Sequence, residues 1–98
     1  MMKAVFISHN QALTDKVAEA LDRLGIRGFT QWTEVKGRGS VKGEPHMGTH
    51  TWPALNNAVL TILEESKAPR LLDELRRINA EAEEQGVRAF VWSVEGGM

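Results

Sequence analysis

Short apolar runs alternate with helical patterns along this chain. The first run, Lys3–Ser8, is rich in β-branched and aromatic side chains, which predicts a buried strand. Leucine, valine and alanine then recur at intervals of three and four residues from Leu13 to Leu24, which places them on one face of a helix. Gly25 predicts the end of that helix, because glycine enters the left-handed region at little cost.

The same order of strand and helix returns later in the sequence. Runs at Phe29–Lys36, Ala58–Leu63 and Val87–Val94 predict three further strands. Between the last two, leucine and isoleucine follow a helical period from Leu71 to Ala82, and Gly86 ends the pattern.

Three polar residues and one proline mark where the helices begin. Ser8 or Asn10 can cap the first helix by accepting a hydrogen bond from a free backbone N–H group. Ser66 is the predicted cap of the second helix, and Pro69 is tolerated in its first turn.

The order β-α-β-β-α-β predicts an α+β fold of the ferredoxin-like kind. Two helices cover one face of a four-stranded antiparallel sheet, and residues 1–98 are expected to form a single domain. The other face would be bare and suited to an oligomer interface. Trp32, Phe90 or Trp92 would lie there in one register, and would point into the core in the other.

The segment from Gly37 to Pro53 has no hydrophobic period. It holds four glycines and two prolines, and it is too long for an ordinary hairpin turn. Long loops in compact domains are usually functional or disordered. Trp52, near its end, is either an anchor for a partner protein or an aromatic that pins the base of the loop.

Composition and charge exclude several classes of function. The formal net charge is −1, so no bulk basic field exists to attract nucleic acid or an anionic membrane. Cysteine is absent, and no apolar run reaches the ~20 residues of a membrane helix. These features predict a cytoplasmic protein with no nucleic-acid partner and no membrane insertion.

No catalytic motif is present, and the sequence predicts no enzymatic activity. His9, after the first apolar run, is a conceivable general base, but neither a triad pattern nor a nucleophile-elbow pattern supports it.

Two groups of loop residues could bind a ligand. His46 and His50, with Met47 and Glu44, offer ligands for a divalent metal such as Zn²⁺, Cu²⁺ or Ni²⁺; otherwise they are ordinary polar loop residues. A second group combines cationic side chains with glycines and can cradle an anion, or can be a solvated loop entrance. Its members are Lys36, Gly37, Arg38, Gly39, Lys42 and Gly43.

The segments Gly25–Thr30, Glu34–Gly39 and Lys42–Gly43 together resemble the second strand and T-loop entrance of the PII signal-transduction proteins. The family pattern there is G-I-x-G-x-T…E-V-K-G-x-G-x-x-K-G. The last strand, Ala89–Val94, is also similar to the family's I-F-V-x-x-V strand. This resemblance is specific over residues 25–43 and follows the order of elements over residues 3–95.

The resemblance implies a homotrimer that binds ATP or ADP between subunits and controls a partner protein through its T-loop. Thr30, Gly37 and Gly39 match nucleotide-site positions, and Arg88 matches a cationic position before the last strand. With Arg38 and Lys42 at the loop entrance, they form the predicted ligand site. The CutA divalent-cation tolerance proteins share this architecture, so a metal-binding or metal-tolerance module using the loop histidines is the alternative.

The sequence departs from the family pattern inside the loop. Ser40 and Val41 stand where the family has arginine and glutamine, and valine cannot supply the amide oxygen used on Mg²⁺. The chain also lacks tyrosine and the C-terminal arginine pair of the family. A PII-like regulator that binds an adenine nucleotide or another small anion is therefore expected, rather than a nitrogen sensor that binds 2-oxoglutarate.

Overall fold

The computed structural model describes residues 1–38, 45–50, 54–82 and 85–98. Four strands and two helices follow one another in the predicted order, and a short 3-10 turn precedes each helix. They are β1 (Met2–Asn10), α1 (Thr14–Arg23), β2 (Thr30–Val35), β3 (Asn56–Glu64), α2 (Ala68–Glu81) and β4 (Val87–Ser93).

The four strands form one antiparallel sheet in the order β2-β3-β1-β4. This is the predicted βαββαβ ferredoxin-like arrangement, with β1 and β3 in the centre. The two central strands are nine residues long and extend past the predicted limits into Asn10 and Asn56. Pairing along both edges holds these polar ends in the sheet despite their weak strand propensity.

One face of the sheet, called the covered face below, packs against both helices. Val5 and Ile7 of β1 are fully buried there. They form one cluster with apolar side chains from the helices, at the positions that the period of three and four residues predicts. The helix residues buried in this cluster are Val17, Ala20, Leu21, Ala68, Leu71, Leu75 and Ile78.

The helix starts confirm one sequence prediction and correct two. The side chain of Asn10 accepts a hydrogen bond from the N–H of Ala12, 2.9 Å away, and caps the 3-10 turn before α1. The helix α1 itself begins after Leu13, which makes no side-chain cap. Pro69 lies in the first turn of α2, as predicted. Ser66 is not the cap of α2, because it lies inside a 3-10 turn and the helix begins after Lys67, which makes no side-chain cap.

The other face, called the open face below, carries large apolar side chains in solvent. Strand register places Trp92 beside Ala4, and Phe90 beside Phe6. Trp32, Phe90 and Trp92 are 44%, 60% and 48% exposed, so these aromatics do not pack into the core. Of the two predicted registers, the structure adopts the one that places these aromatics on the open face.

The longest helix among the described residues is α2, with 14 residues. Within that part of the chain, no helix combines the length and hydropathy needed to cross a membrane.

Candidate ligand site at the loop base

The two ends of the long loop meet just beyond the sheet. The N–H of Gly37 donates to the carbonyl of His46 at 2.8 Å, and the N–H of His46 donates to the carbonyl of Gly37 at 2.6 Å. This antiparallel bridge lies outside the named strands and stands alone. The segment between the two residues is thus joined at its base.

Asn56, the first residue of β3, contacts both sides of this bridge. Its Oδ1 lies 2.5 Å from Nδ1 of His46. Because a carboxamide oxygen can only accept, this contact requires the imidazole proton on Nδ1. The Asn56 side chain also lies so close to Gly37 that a Cβ atom there would collide with it. Gly37 is therefore needed for close approach.

Asn57, the next residue, points to the opposite face and is 6% exposed. Its Oδ1 accepts from the N–H of Glu34 at 3.1 Å, and its Nδ2 donates to the hydroxyl of Thr14 at 2.9 Å. Glu34 has a φ of 57°, in the left-handed region, where β2 bulges away from β3. The side chain of Asn57 thus replaces the hydrogen bond that the bulge removes from the ladder.

Thr30 and Arg88 both lie on the open face, and both are exposed. They sit on opposite edge strands, which are three strand spacings or about 14 Å apart. Within one chain, these two predicted ligand residues do not meet. Arg88 lies directly opposite Ser8, whose hydroxyl is 3.5 Å from Nδ2 of Asn56. Arg88 is therefore at the same end of the sheet as the loop base.

The other predicted site residues divide into two groups. Arg38 follows the bridge residue Gly37 and is exposed to solvent. The remaining four lie outside the described residues, and their predicted roles stay predictions. They are Gly39, Lys42 and Glu44 in the loop, and Trp52 near its end.

The loop histidines do not form a metal centre with other described residues. His46 is half-buried and engaged with Asn56, while His50 is exposed. Met47, which lies between them in the sequence, is half-buried. Within residues 1–38, 45–50, 54–82 and 85–98, no group of three or more histidine, aspartate or glutamate side chains is placed to hold a metal ion.

His9 lies under the helices on the covered face and is 1% exposed. Burial lowers the pKa of its imidazole from the usual 6.5, opposed by a 2.8 Å hydrogen bond between Nδ1 and the carbonyl of Asn10. Its Nε2 is buried with no hydrogen-bond partner among the described residues. A group buried in this way cannot act as a base on a substrate.

A sequence profile described as nitrogen regulatory protein P-II matches residues 2–96. The chain belongs to this P-II family. The PII resemblance seen in residues 25–43 is thereby confirmed over nearly the whole chain. A search of curated proteins found no match.

Solved PII-like structures share the fold. One is CPII from Thiomonas intermedia K12, bound to ADP, AMP and bicarbonate, with a TM-score of 0.75, 21% identity and coverage of 99% of this chain and 93% of that one. The apo form of CPII gives a TM-score of 0.68 and 18% identity, covering 95% and 90% of the two chains. A putative PII-like signalling protein from Thermus thermophilus gives a TM-score of 0.66 and 27% identity, covering 93% and 84%.

Proposed function

We propose that this P-II family protein is a trimeric regulator that binds an adenine nucleotide or another small anion between subunits. The single observation that carries the proposal is the placement of Thr30 and Arg88 on one open face, at opposite edges of the sheet. Because the two residues lie on opposite edge strands, an open-face contact between copies can bring Thr30 of one chain to Arg88 of the next.

The exposed aromatics support assembly through the open face. Phe90, Trp92 and Trp32 place a broad apolar surface in solvent, and such surfaces on soluble proteins mark interfaces. A closed ring with a heterologous contact brings the β2 edge of one copy to the β4 edge of the next. Such a contact would put Thr30 of one subunit near Arg88 of another.

The loop base supplies the chemistry that an anion needs. Arg88 and Arg38 offer guanidinium groups, which bind phosphate or carboxylate in a two-pronged fashion. Gly37 precedes Arg38, and its missing Cβ leaves room for the side chain of Asn56 at the loop base. Gly39 and Lys42 remain candidate members of the site through the family motif. CPII, which shares the fold, binds ADP, AMP and bicarbonate, so these ligands are the first to test.

In this proposal the protein acts by regulation and not by catalysis. The ligand binds one arrangement of the 37–53 loop better than others and so shifts the population that a partner protein recognises. Trp52 is the proposed anchor for that partner. We further propose that residues 1–98 form one domain and that the protein works in the cytoplasm.

The test is calorimetric titration of the purified protein with ATP, ADP, AMP and bicarbonate. A nucleotide present at 100 times its dissociation constant stabilises the folded state by about 2.7 kcal/mol, which a thermal shift also detects. We expect Arg88→Ala to weaken nucleotide binding and Arg70→Ala, on the outer surface of α2, to leave it unchanged. Stabilisation by Zn²⁺, Cu²⁺ or Ni²⁺ alone, lost in a double His46→Ala/His50→Ala variant, would favour the metal-binding alternative instead.

Co-expression tests whether the site lies between subunits. Arg88→Ala and Thr30→Trp each damage a different half of the proposed site, so each variant alone should bind nucleotide more weakly than the wild type. A mixed assembly would restore about a quarter of the sites, at contacts where both intact halves meet. Recovery of none would place the site within one chain and would contradict the proposal.

A further inference from the structure

The bridge between Gly37 and His46 is a small piece of structure. It consists of two backbone hydrogen bonds outside any strand. Each such bond contributes little net stability in water, while ordering each residue costs conformational entropy. A side-chain contact that joins the two loop ends therefore adds measurably to the stability of the closed base.

Asn56 provides that contact from a fixed position. Its backbone belongs to a central strand and pairs with Asn10 on one side and Val35 on the other. From there the side chain reaches the His46 imidazole and packs against Gly37, so one residue contacts both ends of the loop.

The carboxamide suits this position because it both accepts and donates. Oδ1 accepts from His46, and Nδ2 donates across 3.5 Å to the hydroxyl of Ser8. Ser8 lies opposite Arg88 on the open face. A polar connection thus runs from the loop base to the strand residue beside the proposed anion-binding arginine.

We propose that Asn56 is the positioning residue that latches the loop base closed and so presets the ligand site. For its effect on ligand binding, this inference rests on the proposed function. His46, predicted from sequence as a metal ligand, has a different part here: its imidazole is the group that Asn56 holds. The prediction concerns how readily the bridge opens and does not require Asn56 to touch the ligand.

Amide hydrogen exchange at Gly37 and His46 tests the latch directly, because each N–H is half of the bridge. In Asn56→Ala, we expect both amides to exchange about threefold to tenfold faster, the change that loss of one side-chain hydrogen bond produces. Asn56→Asp keeps an acceptor for His46 but loses the donor to Ser8, so it should show a smaller increase. Glu64→Ala, at the exposed far end of the same strand, is the matched control and should exchange as the wild type does.

Ser8→Ala keeps the latch testable should Asn56→Ala fail to fold. It removes only the partner of Nδ2, and we expect a small increase in exchange at the same two amides. Unchanged exchange at Gly37 and His46 in folded Asn56 variants would overturn the latch.

The effect on ligand binding is measured separately, as the dissociation constant for ADP in the same variants. Exchange at the two amides gives the opening equilibrium constant K of the base, and the dissociation constant should rise in Asn56→Ala by the ratio of 1 + K in the variant to 1 + K in the wild type, because only the closed base binds. If the wild type binds no nucleotide, the proposed function fails while the exchange result still decides the latch. A dissociation constant that departs from this ratio would mean that the presetting role is wrong.

Discussion

The covered and open faces of the sheet are built from alternate residues of the same four strands, yet only the covered face is completed within the described chain. On the covered face, Val5 and Ile7 are sealed beneath the helices. On the open face, the neighbouring Phe6 lies beside Phe90, which remains 60% exposed. One face therefore stabilises the fold, and the other exposes apolar side chains to solvent.

Under the proposed function, this division also separates stability from ligand binding. Thr30 and Arg88, which we propose as ligand-binding residues, lie on the open face. Substitutions on the covered face should therefore act on unfolding, and substitutions on the open face should act on assembly and binding. The predictions below test that separation.

The largest expected effect comes from the covered side. Leu71 of α2 is fully buried in the core. We expect Leu71→Ala to lower the free energy of unfolding by about 2–5 kcal/mol, because it removes buried methyl groups and leaves a cavity. Urea unfolding measures this change. The control is Leu72→Ala on the same helix, where the side chain is only partly buried and the loss should be smaller. Equal losses of unfolding free energy in both variants would contradict the difference in burial between the two positions.

The next effect concerns the open face. We expect Phe90→Asp or Trp92→Asp to weaken the proposed subunit association by about thirtyfold or more, as charged groups at the centre of an apolar interface do. Light scattering coupled to gel filtration measures the molar mass across a dilution series. Arg70→Asp, on the outer surface of α2, tests whether a new charge alone matters and should leave the assembly intact. If Phe90→Asp and Trp92→Asp assemble as the wild type does, the open face is not the interface.

Much of this two-faced architecture could be predicted from the sequence, because helical and strand periods report which residues share a side. The sequence did not predict which residues of the last strand lie on the open face. Phe90 and Trp92 alternate there with Ala89 and Val91, so both faces of β4 are apolar and the pattern is ambiguous. Only the register of β4 against β1 assigns the aromatics to the open face.

The loop base was missed for a different reason. Asn56 and Asn57 precede an apolar run, where asparagine usually indicates a turn. Their functions depend on partners distant in sequence, namely His46 for Asn56 and Thr14 for Asn57. One signal was available in the sequence: two adjacent asparagines lie between a long loop and a strand. Adjacent residues of a strand point to opposite faces of the sheet, so the pair can donate and accept hydrogen bonds on both faces. Ser66 fits the sequence pattern of a helix cap, but the 3-10 turn around it delays the start of α2.

The smallest expected effect is the pH dependence of the free energy of unfolding that results from the burial of His9 on the covered face. Burial holds the pKa of His9 below the 6.5 of a free histidine, so the unfolded chain takes up a proton that the folded chain refuses. Between these two pKa values the unfolded state binds more protons, and the free energy of unfolding must therefore fall as the pH decreases below about 6.5. We expect His9→Leu to flatten this slope, measured by urea unfolding between about pH 7.5 and about pH 5.5. His50→Leu removes an exposed histidine and should keep the wild-type slope. A slope that survives in His9→Leu and disappears in His50→Leu would mean that protons act on the loop and not on the covered face.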